Sequence, residues 1–245
     1  QNLPLKELLY KLADDLLKGG SSEKNTALRS NFDIDIYVPF KPNSFSSTRK
    51  MMDEVFSLLE KYMDYLGILR LRQQVKSIGV FYNINGKELK IDVVPYKITE
   101  KKGNKTSGYL HVRKEDFWGD SSTYTKTDIH MLNNVKLNKT QEKILVVLKA
   151  WKHKNELPIS SHLLQCFILD AYACNSIPRT FSKKIIMVLE FIMNRLDIAV
   201  IRSVENSNNI LTNISDEDKS LIICACQEVI EGYQYQPNSI VELIS

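Results

Sequence analysis

Apolar residues at 5, 8, 9, 12 and 16 recur at helical spacing, so Leu3 to Leu17 reads as one amphipathic helix. The Gly19-Gly20 pair ends it. From Asp33 the period changes to two. Asp33-Ile34-Asp35-Ile36-Tyr37-Val38 alternates acid and apolar as a half-buried strand does, so Asp33 to Phe40 reads as a strand, closed by Pro39 and Pro42. Ser46 to Leu66 returns to the helical period, with Met51, Met52, Val55, Phe56, Leu58, Leu59 and Met63 on its inner side. Ile78–Ile84 and Leu89–Val94 read as two strands, and Asn83-Ile84-Asn85-Gly86 between them predicts a hairpin. Lys97 to Gly108 reads as a solvated loop with four lysines and one acid. Beyond it the pattern turns helical over Asn138–Asn155, Ser160–Cys174, Phe181–Leu196 and Ser215–Gln234. Breaks at Pro158 and Pro178 and the polar run Glu205 to Asn213 separate these segments. The expectation is an α+β protein of two lobes with a cleft between them. Residues 1–125 would form a mixed sheet with helices, the N-terminal helix being allowed to pack on the other lobe, and residues 126–245 a helical lobe.

Composition narrows this little. The chain has 245 residues, 43% of them hydrophobic and 25% charged, so it is long enough for a large core and is not of disordered type. No apolar run approaches the roughly 20 residues of a membrane span, so no membrane role is expected. Gln1 to Lys18 lacks a signal-peptide layout, and the absence of an initiator Met reads as a trimmed chain. Cys166, Cys174, Cys224 and Cys226 fall in apolar helical stretches without zinc-ligand spacing, which points to buried thiols in a reducing cytoplasm. A net charge of +4 is too small to argue nucleic-acid binding by itself.

The chemistry concentrates in Gly19 to Val38. Gly19 to Thr26 is small and hydroxyl-rich, so its backbone can approach an anion closely. Asp33 and Asp35 share a strand face, where two carboxylates repel unless a cation sits between them. Asp92 stands alone among β-branched residues in Leu89-Lys90-Ile91-Asp92-Val93-Val94-Pro95, and a buried carboxylate there needs a cation or a donor. With the two strands side by side, three acids converge. Three acids can hold two Mg²⁺ ions about 4 Å apart, an arrangement that activates an attacking hydroxyl and stabilises leaving pyrophosphate; Mn²⁺ is an alternative occupant.

Gly19-Gly20-Ser21-Ser22-Glu23-Lys24-Asn25-Thr26-Ala27-Leu28-Arg29, then Asp33-Ile34-Asp35, then Ile91-Asp92-Val93-Val94-Pro95 resembles the polymerase-β-like nucleotidyltransferases. Within them the chain is similar to the branch that holds the 2′-5′-oligoadenylate synthetases, the archaeal CCA-adding enzymes and the bacterial cyclic-oligonucleotide synthases (CD-NTases). The resemblance implies a two-lobed fold and a Mg²⁺-dependent site. Asp33, Asp35 and Asp92 would be the catalytic and metal-binding residues, and Gly20, Ser21 and Ser22 the phosphate cradle. Lys143 to Lys154 resembles the helix that in this branch presents a lysine to the triphosphate, which implies Lys149 and, one turn on, Lys152. Asn155-Glu156-Leu157-Pro158-Ile159-Ser160-Ser161 resembles the phrase whose serine reaches the phosphates; Ser161 is preferred to Ser160. His130 stands at a spacing seen in the archaeal enzymes and is a further candidate for the triphosphate.

The sequence also departs from the family pattern. Asn25 replaces a common glycine, and Leu12 to Lys18 reads as helix where most members have a strand, so the expectation is either a sheet that lacks this strand or an abbreviated preceding segment. The resemblance implies NTP substrates, ATP among them, joined into a cyclic di- or trinucleotide messenger, as in bacterial anti-phage signalling. Two other readings stand beside it. One is an RNA-directed nucleotidyltransferase, with Lys97 to Lys105 and the Arg70, Arg72, Lys76 cluster as polyanion contacts. The other is a non-catalytic nucleotide-binding module. An RNA or protein activator is compatible with the first, and oligomeric state is not legible.

Overall fold

A computed structural model describes residues 4–13, 16–19, 33–102, 105–116, 119–128, 136–201, 211, 214–237 and 240. In chain order the elements are α1 (Pro4–Leu12), β1 (Leu17–Gly19), β2 (Asp33–Phe40), α2 (Thr48–Lys61), β3 (Arg70–Gln73), β4 (Ile78–Ile84), β5 (Lys87–Lys102), β6 (Lys105–Asp116), β7 (Gly119–Asp128), α3 (Lys139–Lys154), α4 (Ser161–Cys174), α5 (Phe181–Arg195) and α6 (Asp216–Tyr235). The chain is α+β and divides into two compact units, Gln1–Val135 with Val204–Asn206 and Lys136–Ser203 with Ser207–Ser245. Residue 125, where the sequence pattern suggested a division, lies inside β7, which stays paired to β6 through Asp128.

Among the described residues the first unit is built on a seven-stranded mixed sheet in the order β1-β2-β5-β4-β3, with β6 on the far half of β5 and β7 on β6. Strand alternation sorts its side chains. Ile34, Ile36, Val38 and Phe40 of β2, Ile78, Val80 and Tyr82 of β4, and Ile91 and Val93 of β5 enter one core, together with Leu5 and Leu9 of α1 and Met51, Met52, Val55 and Leu59 of α2. Helix α1 is thus part of the first unit's own core. The intervening residues of the same strands, Asp35, Tyr37, Asp92, Val94 and Tyr96, take the opposite face, where Val94, Tyr96 and Leu110 form a smaller cluster with Leu17 and Tyr37.

Three expectations are corrected here. The helix expected to reach Leu17 stops at Leu12, and Leu17–Gly19 is a strand antiparallel to β2, so the strand that leads into the glycine turn is present. The cause is packing: Leu16 joins the main core while Leu17 joins the cluster on the other face, a period of two that a helix cannot supply. The lysine-rich stretch 97–108 is a hairpin rather than a loop, because β5 runs on to Lys102 and β6 returns from Lys105. Where β4 stops at Ile78, opposite Val93, β6 takes over the backbone groups of β5 from Tyr96 onward. Lysines at a sheet edge are compatible with a strand. Two of the four cysteines, Cys174 and Cys224, are exposed, and only Cys166 and Cys226 are buried; all four are free thiols.

The second unit is helical. The N-caps Asn138, Ser160, Thr180 and Ser215 each accept a backbone N–H from the first turn of the helix that follows, and Asn138 forms a reciprocal capping box with Gln141. Ile144, Leu148 and Trp151 of α3, Leu164, Phe167 and Ile168 of α4, Val188, Leu189 and Ile192 of α5, and Ile222 and Cys226 of α6 make its core. Among the described residues no helix is long and apolar enough to cross a membrane.

Candidate active site

Strands β2 and β5 run parallel, and their register makes Asp35 the Cα partner of Asp92. Neighbouring strands lie about 4.8 Å apart, and paired residues share a face, so the two carboxylates project side by side. Asp33 occupies the register position beside Lys90; its side chain is outside the described residues. The same row continues across the sheet. Gly19 of β1 partners Asp35, Gly79 of β4 partners Asp92, and Arg72 of β3 partners Gly79.

Asp92 is 8% exposed, and its carboxylate is fully engaged. Lys90 Nζ donates to Oδ2 at 2.8 Å, and Gln74 Nε2 donates to Oδ1 at 3.0 Å. Ser77 Oγ lies 3.5 Å from the same Oδ1 and 3.2 Å from Gln74 Oε1. These partners answer the need of a buried carboxylate for a cation and donors. Gly79 makes the arrangement sterically possible. A Cβ there would stand 2.5 Å from Gln74 Nε2 and 3.0 Å from the Phe81 ring. Gln74 and Ser77 belong to the β3–β4 turn, which closes through Gln74 N–H to Ser77 C=O at 2.8 Å and is fastened to β6 by Arg113 N–H donating to Val75 C=O at 2.8 Å.

Sequence reasoning missed Lys90, Gln74, Ser77 and Gly79. The one local signal was Gly79, a glycine inside an apolar strand pattern, which marks close approach by another group. The Arg70, Arg72, Lys76 cluster is divided by the structure. Arg70 pairs with Glu88 at 3.0 Å and stacks over Phe81 at 3.7 Å, while Arg72 and Lys76 line a recess with Lys90.

In the second unit Lys149 is 6% exposed, so it does not belong to a solvated helix face. Lys152 Nζ donates to the Ile159 carbonyl at 2.8 Å, which ties α3 to the segment entering α4, and burial lowers its pKa. Ser160 Oγ is committed to the N-cap, accepting from Leu163 N–H at 3.1 Å; Ser161, half-buried, is the first helical residue. Gly20, Ser21, Ser22 and His130 lie outside the described residues. Among the described residues no group of three or more His, Cys, Asp or Glu is gathered as a metal cage.

No protein-family model and no curated protein sequence matches the chain. Solved structures do. A CdnC from E. coli MS115-1, determined as a complex with HORMA-deltaN, superposes with a TM-score of 0.70 at 17% identity, covering 98% of this chain and 84% of that one. The fold is that of the CD-NTases. The CD-NTase CdnG of Bradyrhizobium diazoefficiens, in complex with GTP, gives 0.72 at 10% identity over 96% of this chain and 81% of that one. The cyclic AMP-GMP synthase DncV of Vibrio cholerae, with the linear intermediate 5′ pppA(3′,5′)pG, gives 0.65 at 13% identity over 94% and 67%. A shared CD-NTase fold accounts for the parallel β2–β5 pair followed by a helical unit.

Proposed function

We propose that this chain is a nucleotidyltransferase that joins nucleoside triphosphates to one another, releases pyrophosphate and closes the product into a cyclic di- or trinucleotide. The observation that carries the reading is the pairing of Asp35 with Asp92 on adjacent parallel strands of a CD-NTase fold, with Asp33 two positions away. The relatives of this fold include a cyclic AMP-GMP synthase and proteins solved with GTP or ATP.

Asp35 and Asp92 suit divalent cations, of which the proposed reading has two: they are hard oxygen donors in adjacent register, and a cation, the Lys90 ammonium, stands 2.8 Å from Asp92 Oδ2. Bound Mg²⁺ would lower the pKa of the acceptor hydroxyl and neutralise the pyrophosphate leaving group. Asp33 and Asp35 would hold both ions, and Asp92 the one on the acceptor side. Gly20, Ser21 and Ser22 would cradle the donor phosphates with backbone N–H groups and hydroxyls. Lys149 and Ser161 would orient the triphosphate, with Lys152 and His130 in support, so that the acceptor hydroxyl attacks the α-phosphate in line.

Purified protein incubated with all four NTPs and Mg²⁺, with and without RNA, tests this by mass spectrometry of the product. A phosphatase-resistant cyclic product made without RNA is expected; nucleotide added only to RNA would overturn it in favour of an RNA-directed transferase. Asp33→Ala with Asp35→Ala should abolish pyrophosphate release while leaving the thermal transition in place. Continued release by that double variant would remove the acids from the mechanism.

A further inference from the structure

Beside Asp92 lies a recess of about 740 Å³ lined by Arg72, Lys76, Lys90 and Arg113, with Gln74 and Ser77 between them. Four of its walls are cationic, and among the described residues no acid lines it. The recess is held in shape: Gln74 N–H to Ser77 C=O closes the β3–β4 turn, and Arg113 N–H to Val75 C=O fastens that turn to β6. Walls that carry mostly one sign of charge around a concavity focus their field inward and raise the local concentration of anions. The volume is that of a small-molecule pocket, within roughly 300–1,000 Å³. That size and lining suit a compact oligophosphate.

We infer that this recess binds the 5′-triphosphate of the acceptor nucleotide, and that Lys90 couples its occupancy to Asp92. The inference rests on the proposed function, in which Asp92 serves the acceptor hydroxyl. Lys90 faces both ways, lining the recess while its Nζ sits 2.8 Å from Asp92 Oδ2. An oligophosphate entering the recess competes with Asp92 for that ammonium. As Lys90 turns toward the phosphates, Oδ2 becomes available to another cation. Anion in the recess and cation on Asp92 therefore favour one another, and Lys90 is a positioning residue between them.

Calorimetric titration of inorganic tripolyphosphate in metal-free buffer tests the pocket apart from turnover. Arg72 and Lys76 are exposed, so Arg72→Ala with Lys76→Ala should keep the melting curve of the parent. Affinity should fall at least about tenfold in that variant and change little in the charge-matched Lys61→Ala with Lys183→Ala, both on exposed helix positions. An equal loss in the two variants, or none in the first, overturns the pocket. Asp92→Asn should tighten tripolyphosphate binding severalfold, and the gain should vanish in a Lys90→Gln background. The same gain in both backgrounds overturns the coupling. Replacing the acceptor NTP by its nucleoside should depress product formation as much as the Arg72, Lys76 variant does with the NTP. Undiminished use of the nucleoside assigns the recess to released pyrophosphate and overturns the acceptor assignment. Tripolyphosphate binding without any NTP turnover would count against the proposed function and leave the pocket standing.

Discussion

At Asp92 the surroundings of one side chain are over-determined: an ammonium, an amide and a hydroxyl converge on two oxygens. Hydrogen bonds to a charged group contribute about 1.5–3 kcal/mol each. Gly79→Ala should therefore cost stability by pushing Gln74 away from Oδ1, by about the same amount as Gln74→Ala. Denaturant unfolding of the two single variants and the double variant checks this, because the losses should be non-additive. Strict additivity would mean that Gly79 is required for some other contact. His111 makes a second residue-scale case. It is 3% exposed, with no hydrogen-bond partner for Nδ1 among the described residues. Burial lowers its pKa; Asp53 opposes the shift, and Arg49 and Arg113 add to it. In the unfolded chain it titrates near 6.5. The folded value is lower, so the stability that depends on neutral His111 is complete above about 6.5 and is lost as pH falls from there through the folded pKa. Unfolding free energy should decline below pH 6.5 in the parent, and His111→Gln should flatten that decline. An identical slope in both proteins would exonerate His111.

Among elements, β5 does the most. Its first half pairs with β4 and β2 and carries Asp92; its second half pairs with β6. The join depends on Gly108 of β6, where a Cβ would meet the Lys97 carbonyl oxygen and stand 2.7 Å from the Tyr96 ring. Tyr96 is fully buried, and its hydroxyl donates to the Thr127 carbonyl at 3.1 Å, so neither neighbour can yield cheaply. Gly108→Ala should destabilise the fold by about 1–3 kcal/mol, as overpacking does. Equilibrium denaturation reads the loss directly, and an unchanged midpoint would show that the hairpin slides to accommodate the methyl group. The β4–β5 turn, in contrast, was legible from its residues alone. Asn85 and Gly86 both have positive φ, 53° and 78°, and the Asn83 side chain accepts from Gly86 N–H at 2.9 Å.

At the scale of the whole chain, among the described residues the main core of the first unit and the core of the helical unit share no buried residue. Phe167 is fully buried in the helical one, and Phe167→Ala should cost that unit about 3–5 kcal/mol. Hydrogen exchange followed by mass spectrometry should show faster exchange across α3 to α6 and unchanged protection in β2, β4 and β5. Uniform acceleration would mean that the two units unfold as one.

The helices of the second unit were readable to within about a residue, because period, caps and proline breaks are local signals that agree with one another. The strands β2, β4 and the start of β5 were readable for the same reason, as were Asp33, Asp35 and Asp92 as acids out of place on apolar strands. The division of Leu16 from Leu17, the hairpin inside the lysine-rich stretch and the strand β7 were not, because pairing partners far along the chain override local composition. The side chains around Asp92 came only with the tertiary structure. Gln74, Ser77 and Lys90 are ordinary polar residues in sequence. They acquire meaning when the β3–β4 turn folds back over Gly79 and brings two donors to a carboxylate whose third partner is its own strand neighbour. The acids announce themselves by alternation, a property of one strand. Their company depends on sheet register, which is a property of the whole fold.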